Sequence, residues 1–178
     1  MRPVASIEYD LEPAPGRLEL VRRFANTVDP EHRREVLHAP SQLHNLLVSL
    51  GLLDAGTPVT AADLKQAHHL RDQIRALALA NNGVPTDASL EAQLVVRIDD
   101  AHAVLASPQR DVDGALAELV GIVYTAMADG SWARLKACRS HLCKWLFYDR
   151  SRNRSAVWCS MAVCGNRTKT RAYRARRA

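Results

Sequence analysis

The sequence predicts a mainly α-helical protein, with a helical bundle over residues 1–133 and a small cysteine-bearing module over residues 134–178. Three observations predict it. Apolar residues recur at helical spacing in several separate windows of the first part. All four cysteines fall in the last 41 residues, as Cys138-Arg-Ser-His-Leu-Cys143 and Cys159-Ser-Met-Ala-Val-Cys164. Charge also changes sign near Trp132: residues 1–133 carry 11 Lys and Arg against 18 Asp and Glu, whereas 134–178 carry 13 against the single Asp149. With 178 residues and 47% hydrophobic content, the chain can bury one well-packed core and an appendage.

A short first helix is expected from about Leu18 to Val28. Leu43, Leu46, Leu47, Leu50 and Leu53 form the next apolar stripe. After a turn at Ala55-Gly-Thr-Pro58, Thr60 caps a helix with Leu64, Ala67, Leu70, Ile74 and Leu77 inward, stopped at Asn81-Asn82-Gly83. Leu90, Leu94 and Ile98 mark a further helix. Between Ala101 and Val112 the pattern breaks, with a turn at Ser107-Pro-Gln-Arg110 and room for a short strand at 103–106. Asp113 caps the last helix of the bundle, whose inward residues are Leu116, Leu119, Val120, Val123 and Met127 and whose end is Asp129-Gly130. Faces this narrow do not stand alone, so they pack together.

Two short-span cysteine pairs separated by 15 residues have the spacing of a structural zinc site. Four thiolates from Cys138, Cys143, Cys159 and Cys164 close a tetrahedral shell and leave no position for a substrate, so one structural Zn2+ is the expected cofactor. Two disulfides are the alternative. His141, inside the first pair, could replace a thiol, but with four thiols present it is read as facing solvent. The N-terminal residues lack the apolar region of a secretory signal, and no stretch approaches the roughly 18–20 apolar residues of a membrane span. A soluble, cytoplasmic protein with no membrane partner is expected, in a compartment where thiolates on a metal are favoured over disulfides.

The module itself reads as a knuckle at Cys138–Cys143, two strands around Trp145–Tyr148 and Ala156–Trp158, and a helix starting near Cys159–Cys164. That order is treble-clef-like. Metal binding would supply on the order of 10 kcal/mol to a module too small to fold unaided. If the helix continues past Cys164, Arg167, Arg171 and Arg174 fall on one stripe, with Lys169 and Arg176 nearly opposite. Arg150, Arg152 and Arg154 share one face if their segment is extended, although Asn153 favours a turn equally, and they are read as nucleic-acid contacts, with compensation of the zinc-thiolate charge as the alternative. Six of the nine aromatic residues follow residue 130: Trp132, Trp145, Phe147, Tyr148, Trp158 and Tyr173. They could stack on bases, but for Trp145, Phe147 and Trp158 the core of the module is the favoured place.

The run Cys164-Gly-Asn-Arg167, preceded by Trp158-Cys-Ser-Met161 and Asp149-Arg-Ser-Arg-Asn-Arg-Ser155, resembles the CGNR zinc finger family of bacterial proteins. Phe24-Ala-Asn-Thr-Val-Asp29 resembles the Phe-x-Asn-Thr motif near the start of the ABATE domain, the helical region that commonly precedes that finger. The resemblance implies stress-responsive transcription regulation, the four cysteines as zinc ligands, and a nucleic-acid contact after Cys164, where Asn166, Arg167, Lys169, Arg171, Arg174, Arg176 and Arg177 lie. Two features depart from the family pattern. The 101–112 linker is short, and Arg139-Ser-His141 makes the first knuckle basic.

The expected function is a zinc-dependent DNA-binding regulator whose helical domain serves dimerisation or the sensing of a small-molecule effector. An RNA-binding module using the same arginines and the aromatics is the alternative. A third reading docks the finger on an acidic protein. An enzyme is not expected, because no cysteine lies outside the zinc site and Ser41, Ser49 and the histidines form no catalytic motif. The adjacent His68 and His69 project about 100° apart on a helix and do not share a metal. Asn26 and Thr27 are read as capping or core hydrogen-bonding residues before pocket-lining ones.

Overall fold

The computed structural model describes residues 11–100 and 102–175. Among these, the elements in chain order are α1 (Leu18–Ala25), the antiparallel pair β1 (Val28–Asp29) and β2 (Arg34–Glu35), α2 (Pro40–Ser49) and α3 (Ala61–Ala80). The hairpin β3 (Val95–Asp99) and β4 (His102–Ala106) leads into α4 (Val112–Ala128). A 3-10 turn, Trp132–Arg134, then opens a second hairpin, β5 (Leu135–Ala137) and β6 (Leu146–Tyr148). A π-helical turn, Met161–Gly165, runs into α5 (Asn166–Ala175). None of the described helices is long and apolar enough to cross a membrane.

The helices form where the apolar period and the capping residues agree. At the start of α3, Thr60 accepts a bond from the Asp63 N–H while the Asp63 carboxylate accepts the Thr60 N–H at 2.6 Å, a reciprocal cap that satisfies two otherwise orphaned donors. Val21 and Phe24 of α1, Leu43 and Leu47 of α2, Ile74 and Ala78 of α3, and Leu119 and Val123 of α4 are buried in one core. Leu135, Ala137 and Leu146 of the second hairpin belong to the same core.

Three expectations are corrected. Leu90, Leu94 and Ile98 do not share a helix: residues 84–94 form no regular element, and Ile98 lies in β3. The β-branched Val95, Val96 and Ile98 favour a strand, which pairs antiparallel with His102–Ala106. Leu94 instead reaches α4, where a Cβ on Gly121 would lie 3.4 Å from its Cδ1. The α4 cap is Asp111, whose carboxylate accepts the Gly114 N–H at 3.0 Å, rather than Asp113. Met127 of α4 is exposed rather than inward.

The buried face of α3 is also rotated from the apolar stripe. Ala67, Arg71, Ile74, Arg75 and Ala78 are buried, whereas Leu64, Leu70 and Leu77 are half-buried. Two arginines can face inward because every bond they make there goes to a fixed acceptor. Arg71 Nη1 donates to Thr27 Oγ1 at 3.2 Å and to Glu35 Oε1 at 2.7 Å. Arg75 donates to the carbonyls of Ala25 at 2.9 Å and Val28 at 3.1 Å, just where α1 ends and its last carbonyls lack helical partners. Burial, then repulsion from Arg71, pushes Arg75 down to about 10, so it stays charged at neutral pH.

Burial alone would raise the Glu35 carboxyl, but the bonds from Arg71 and from the Leu37 N–H outweigh it and hold it below its ordinary 4.5. A depressed folded value means that the stabilisation is complete above the unfolded value and is lost as pH falls through the folded one. Glu35→Gln is therefore expected to lose about 1–2 kcal/mol in urea unfolding at pH 7. The gap to the parent should hold from pH 7 down to about 4.5 and narrow as pH falls further; a gap independent of pH would contradict the assignment.

Candidate metal centre and nucleic-acid interface

The second hairpin builds the site. Its register, Leu135↔Tyr148, Lys136↔Phe147 and Ala137↔Leu146, alternates side chains between two buried environments. Leu135, Ala137 and Leu146 enter the helical core, while Phe147, Trp145 and Cys138 enter a second cluster with Cys143 and Cys164. This corrects the expected strand pairing. The partner of β6 is 135–137, ahead of the knuckle, and 156–158 forms no strand. The Lys136 ammonium takes the carbonyls of Arg154 and Ala156, which a ladder there would need. What remains is one backbone bond, from the Arg139 N–H to the Val157 carbonyl at 3.1 Å.

The Cys138–Cys143 knuckle is therefore the tip of the β5–β6 hairpin. The Cys143 and Lys144 N–H groups both donate to the Ser140 carbonyl, and Lys144 adopts φ +53° to turn the chain back. At the second pair, Ser160 Oγ accepts the Val163 N–H and the π-helical turn brings Cys164 inward as α5 begins. Gly165 closes that turn where space is short: a Cβ would stand 2.7 Å from Met161 Sδ and 3.2 Å from Trp158 Cδ1.

The four sulfurs lie within 4.8 Å of one another, with Cys143–Cys159 and Cys159–Cys164 each 3.6 Å apart. A tetrahedron with Zn–S of about 2.3 Å has edges of about 3.8 Å, so the donor set fits zinc. All four thiols are free, and 3.6 Å is far beyond the ~2.05 Å of a disulfide. Without a cation the set cannot ionise together. Hydrogen bonds from Cys143 and Cys159 pull Cys138 down to about 2. The Cys138 sulfur pushes Cys143 up to about 12, and Cys159 and Cys164 rise as well, the first through its neighbouring sulfurs and the second through burial. A bound cation would favour the thiolate form of all four.

Residues that the spacing did not single out fix this geometry. Lys136 Nζ donates to Asp149 Oδ2 at 2.7 Å as well as to its two carbonyls, and both side chains are buried. Asp149 also accepts from the Ser151 N–H and Oγ and from the Ala156 N–H, so it organises the loop that carries the chain to the second cysteine pair. Burial would raise its carboxyl, but Lys136 and Ser151 hold it below the ordinary range. Three asparagine amides join the hairpin to the helices. Asn26 exchanges two bonds with the backbone of Leu146, at 2.9 and 2.8 Å. Asn81 donates to the Trp132 and Leu135 carbonyls, and Asn82 to those of Ala137 and Val157. Asn26 and Thr27 thus have the hydrogen-bonding role. The one detectable signal for the rest was Asp149, the lone acid of the basic module.

The basic residues divide into two groups. Arg150 is engaged by Glu12 at 2.8 Å and the Pro13 carbonyl at 2.7 Å, with its guanidinium 5.5 Å from the centre of the Tyr148 ring. Arg167 pairs with Glu31 of the β1–β2 turn. Arg152 and Arg154 are exposed in a turn, closed by the Arg154 N–H to Ser151 carbonyl bond, and not on one face of an extended segment. Asn166 opens α5 and bonds back to the Ala162 carbonyl. Lys169 and Arg174 are exposed on α5, and Arg171 reaches the exposed His141 at 2.6 Å. Arg176 and Arg177 lie outside the described residues. Trp132, Trp145 and Phe147 are buried and Trp158 is half-buried, whereas Tyr173 is 52% exposed.

Asp149→Ala would strand the Lys136 ammonium among carbonyls, and zinc-loaded protein is expected to lose about 3–5 kcal/mol in urea unfolding. The double replacement Lys136→Met with Asp149→Leu should lose much less. A loss under about 1 kcal/mol in the single variant would contradict the role given to the pair.

Comparison with known proteins bears on both parts of the chain. The model of the CGNR zinc finger matches residues 134–177. That of ABATE, described as "Putative stress-induced transcription regulator", matches residues 18–134. No curated protein gives a match. With well over half of its length matched by the ABATE model and its four clustered cysteines inside the CGNR match, the chain belongs to the ABATE family and carries a zinc-binding CGNR finger.

Proposed function

We propose that the protein is a cytoplasmic, non-catalytic transcription regulator that binds duplex DNA through the basic surface of its finger, folded around one zinc ion held by Cys138, Cys143, Cys159 and Cys164. The observation that carries this reading is the charge of that surface. Among residues 134–175 the only acid is Asp149, and it is buried, so the carboxylates that meet this surface are Glu12 and Glu31 of the preceding part, against Arg150 and Arg167. Lys169, Arg171 and Arg174 stand exposed on a helix whose start is tied to the metal site through Cys164, beside the exposed Arg139, Arg152 and Arg154. Cations held on a rigid support neutralise phosphates and release counterions at little ordering cost. Zinc contributes folding and rigidity, not chemistry.

RNA remains the second reading, and the burial of the tryptophans disfavours it. Recognition of unpaired bases uses exposed aromatic platforms. Trp132, Trp145 and Phe147 are committed to cores and Trp158 is half-buried, which leaves Tyr173 of α5 as the exposed ring of the finger beside its cations. In this reading the helical domain serves regulation or dimerisation. A small effector would fit the cleft of about 810 Å³ between α3, residues 89–93 and α4, which is lined by Lys65, His69, Gln73 and Asp113 over Leu70 and Leu116.

Binding of zinc-loaded protein to duplex DNA, single-stranded DNA and structured RNA across a salt series tests the proposal. Duplex DNA is expected to bind best, with a steep salt dependence. Arg171→Ala and Arg174→Ala should each reduce the slope of log K against log salt by about 0.9. Tighter binding to RNA would move the function to the second reading, and no binding to any of the three at low salt would overturn both.

A further inference from the structure

We propose that the Glu31–Arg167 ion pair is an autoinhibitory contact, in which a carboxylate of the helical domain occupies the guanidinium that a nucleic-acid phosphate would otherwise take. The proposal rests on the DNA-binding reading above. Arg167 lies in the first turn of α5 and shares the stripe of Arg171 and Arg174, at roughly 0°, 40° and 340° around the helix. It should therefore be part of the phosphate row, yet its partner is Glu31, 136 residues away in sequence. Glu31 is not a loose surface acid. Asp29, itself buried, accepts the Glu31 N–H at 3.1 Å and the His32 N–H at 3.3 Å, and its second oxygen meets His32 Nδ1 at 2.7 Å. The turn between β1 and β2 is thereby held so that Glu31 points at the finger, with its side chain 15% exposed against 47% for Arg167.

Position adds to the effect. The first amide of α5 is already bonded to the Met161 and Val163 carbonyls of the π-helical turn, so the Arg167 guanidinium itself supplies the positive charge at this end of the row. A phosphate approaching this end of the row meets a negative charge and must displace it before it can gain Arg167. Arg150 is held in the same manner by Glu12, but there the acid is 77% exposed and constrains little. The two family segments are thus coupled. Phe24-Ala-Asn-Thr-Val-Asp29 supplies Asp29, which shapes the turn, and Cys164-Gly-Asn-Arg167 supplies the arginine that the turn withholds. Anything that moves the β1–β2 turn would release one cation to the nucleic acid.

Duplex DNA binding by the full-length, zinc-loaded chain and its Glu31→Gln variant across a salt series tests this, with Arg167→Ala and the double variant as partners. Equal zinc content and equal urea midpoints establish that all four are folded alike. Glu31→Gln is expected to bind roughly three- to tenfold more tightly at low salt, with a slope steeper by about 0.9. The double variant should bind as the parent does, because it removes one charge of each sign and the gain requires the freed arginine, while Arg167→Ala, which leaves the Glu31 carboxylate unpaired, should bind no better than the parent. Binding by the parent with no gain in Glu31→Gln, or a gain that survives in the double variant, would overturn the inference while leaving the DNA-binding reading in place. Weaker binding by Glu31→Gln would also overturn it and make the ion pair a strut that positions α5. No binding by any of the four would overturn both.

Discussion

The β5–β6 hairpin has two buried faces, and the protein depends on its being held. Strands of three residues have little stability of their own. Here one face completes the helical core through Leu135, Ala137 and Leu146, and the other walls the thiol cluster through Trp145 and Phe147. The backbone between them is held at both sides by Asn26, Asn81 and Asn82, whose amides supply partners that a wider sheet would otherwise provide. The metal site and the helical bundle are for this reason not a domain and a tail joined by a linker. They share a wall.

That shared wall gives the finger a fixed aim. The buried Lys136–Asp149 pair sets the path from β6 to the second cysteine pair, the metal fixes where α5 begins, and α5 then presents its cations on the outer surface. Charge is sorted along the same route. Cations that reach inward are bonded, Arg134 to the carbonyls of Asp149 and Ser151 and Lys136 to Asp149, so they serve structure. Of the surface cations, Arg150 and Arg167 are paired with carboxylates, and Arg139, Arg152, Arg154, Lys169 and Arg174 are exposed to a partner.

Most of the helices and the cysteine cluster were legible in the chain because each rests on local information. Thr60 with Asp63, the leucine spacing of α2 and α4, and the two five-residue cysteine steps all act within a few residues. What escaped depends on partners far away in sequence. The α3 stripe pointed to Leu64, Leu70 and Leu77, but Arg71 and Arg75 turn the helix because Thr27, Glu35 and the end of α1 offer them acceptors. Strand pairing in the finger was misassigned because β5 lies before the first cysteine, outside the span that the ligand spacing delimits. Leu90, Leu94 and Ile98 had helical spacing by coincidence, and the β-branched run at Val95 decided the matter. Nor does any local signal announce that Arg167, in the most recognisable motif of the chain, faces Glu31.

Amide hydrogen exchange on the full chain, with zinc bound and after chelation, tests the shared wall most directly. The account predicts that chelation removes protection from the Cys138 amide, bonded to Trp145, and also from the Leu146 amide, bonded to Asn26, with faster exchange spreading into the C-terminal half of α3. Loss of protection confined to residues 149–175, with the Leu146 amide and α3 unchanged, would show that the hairpin stands without the metal and would contradict the account.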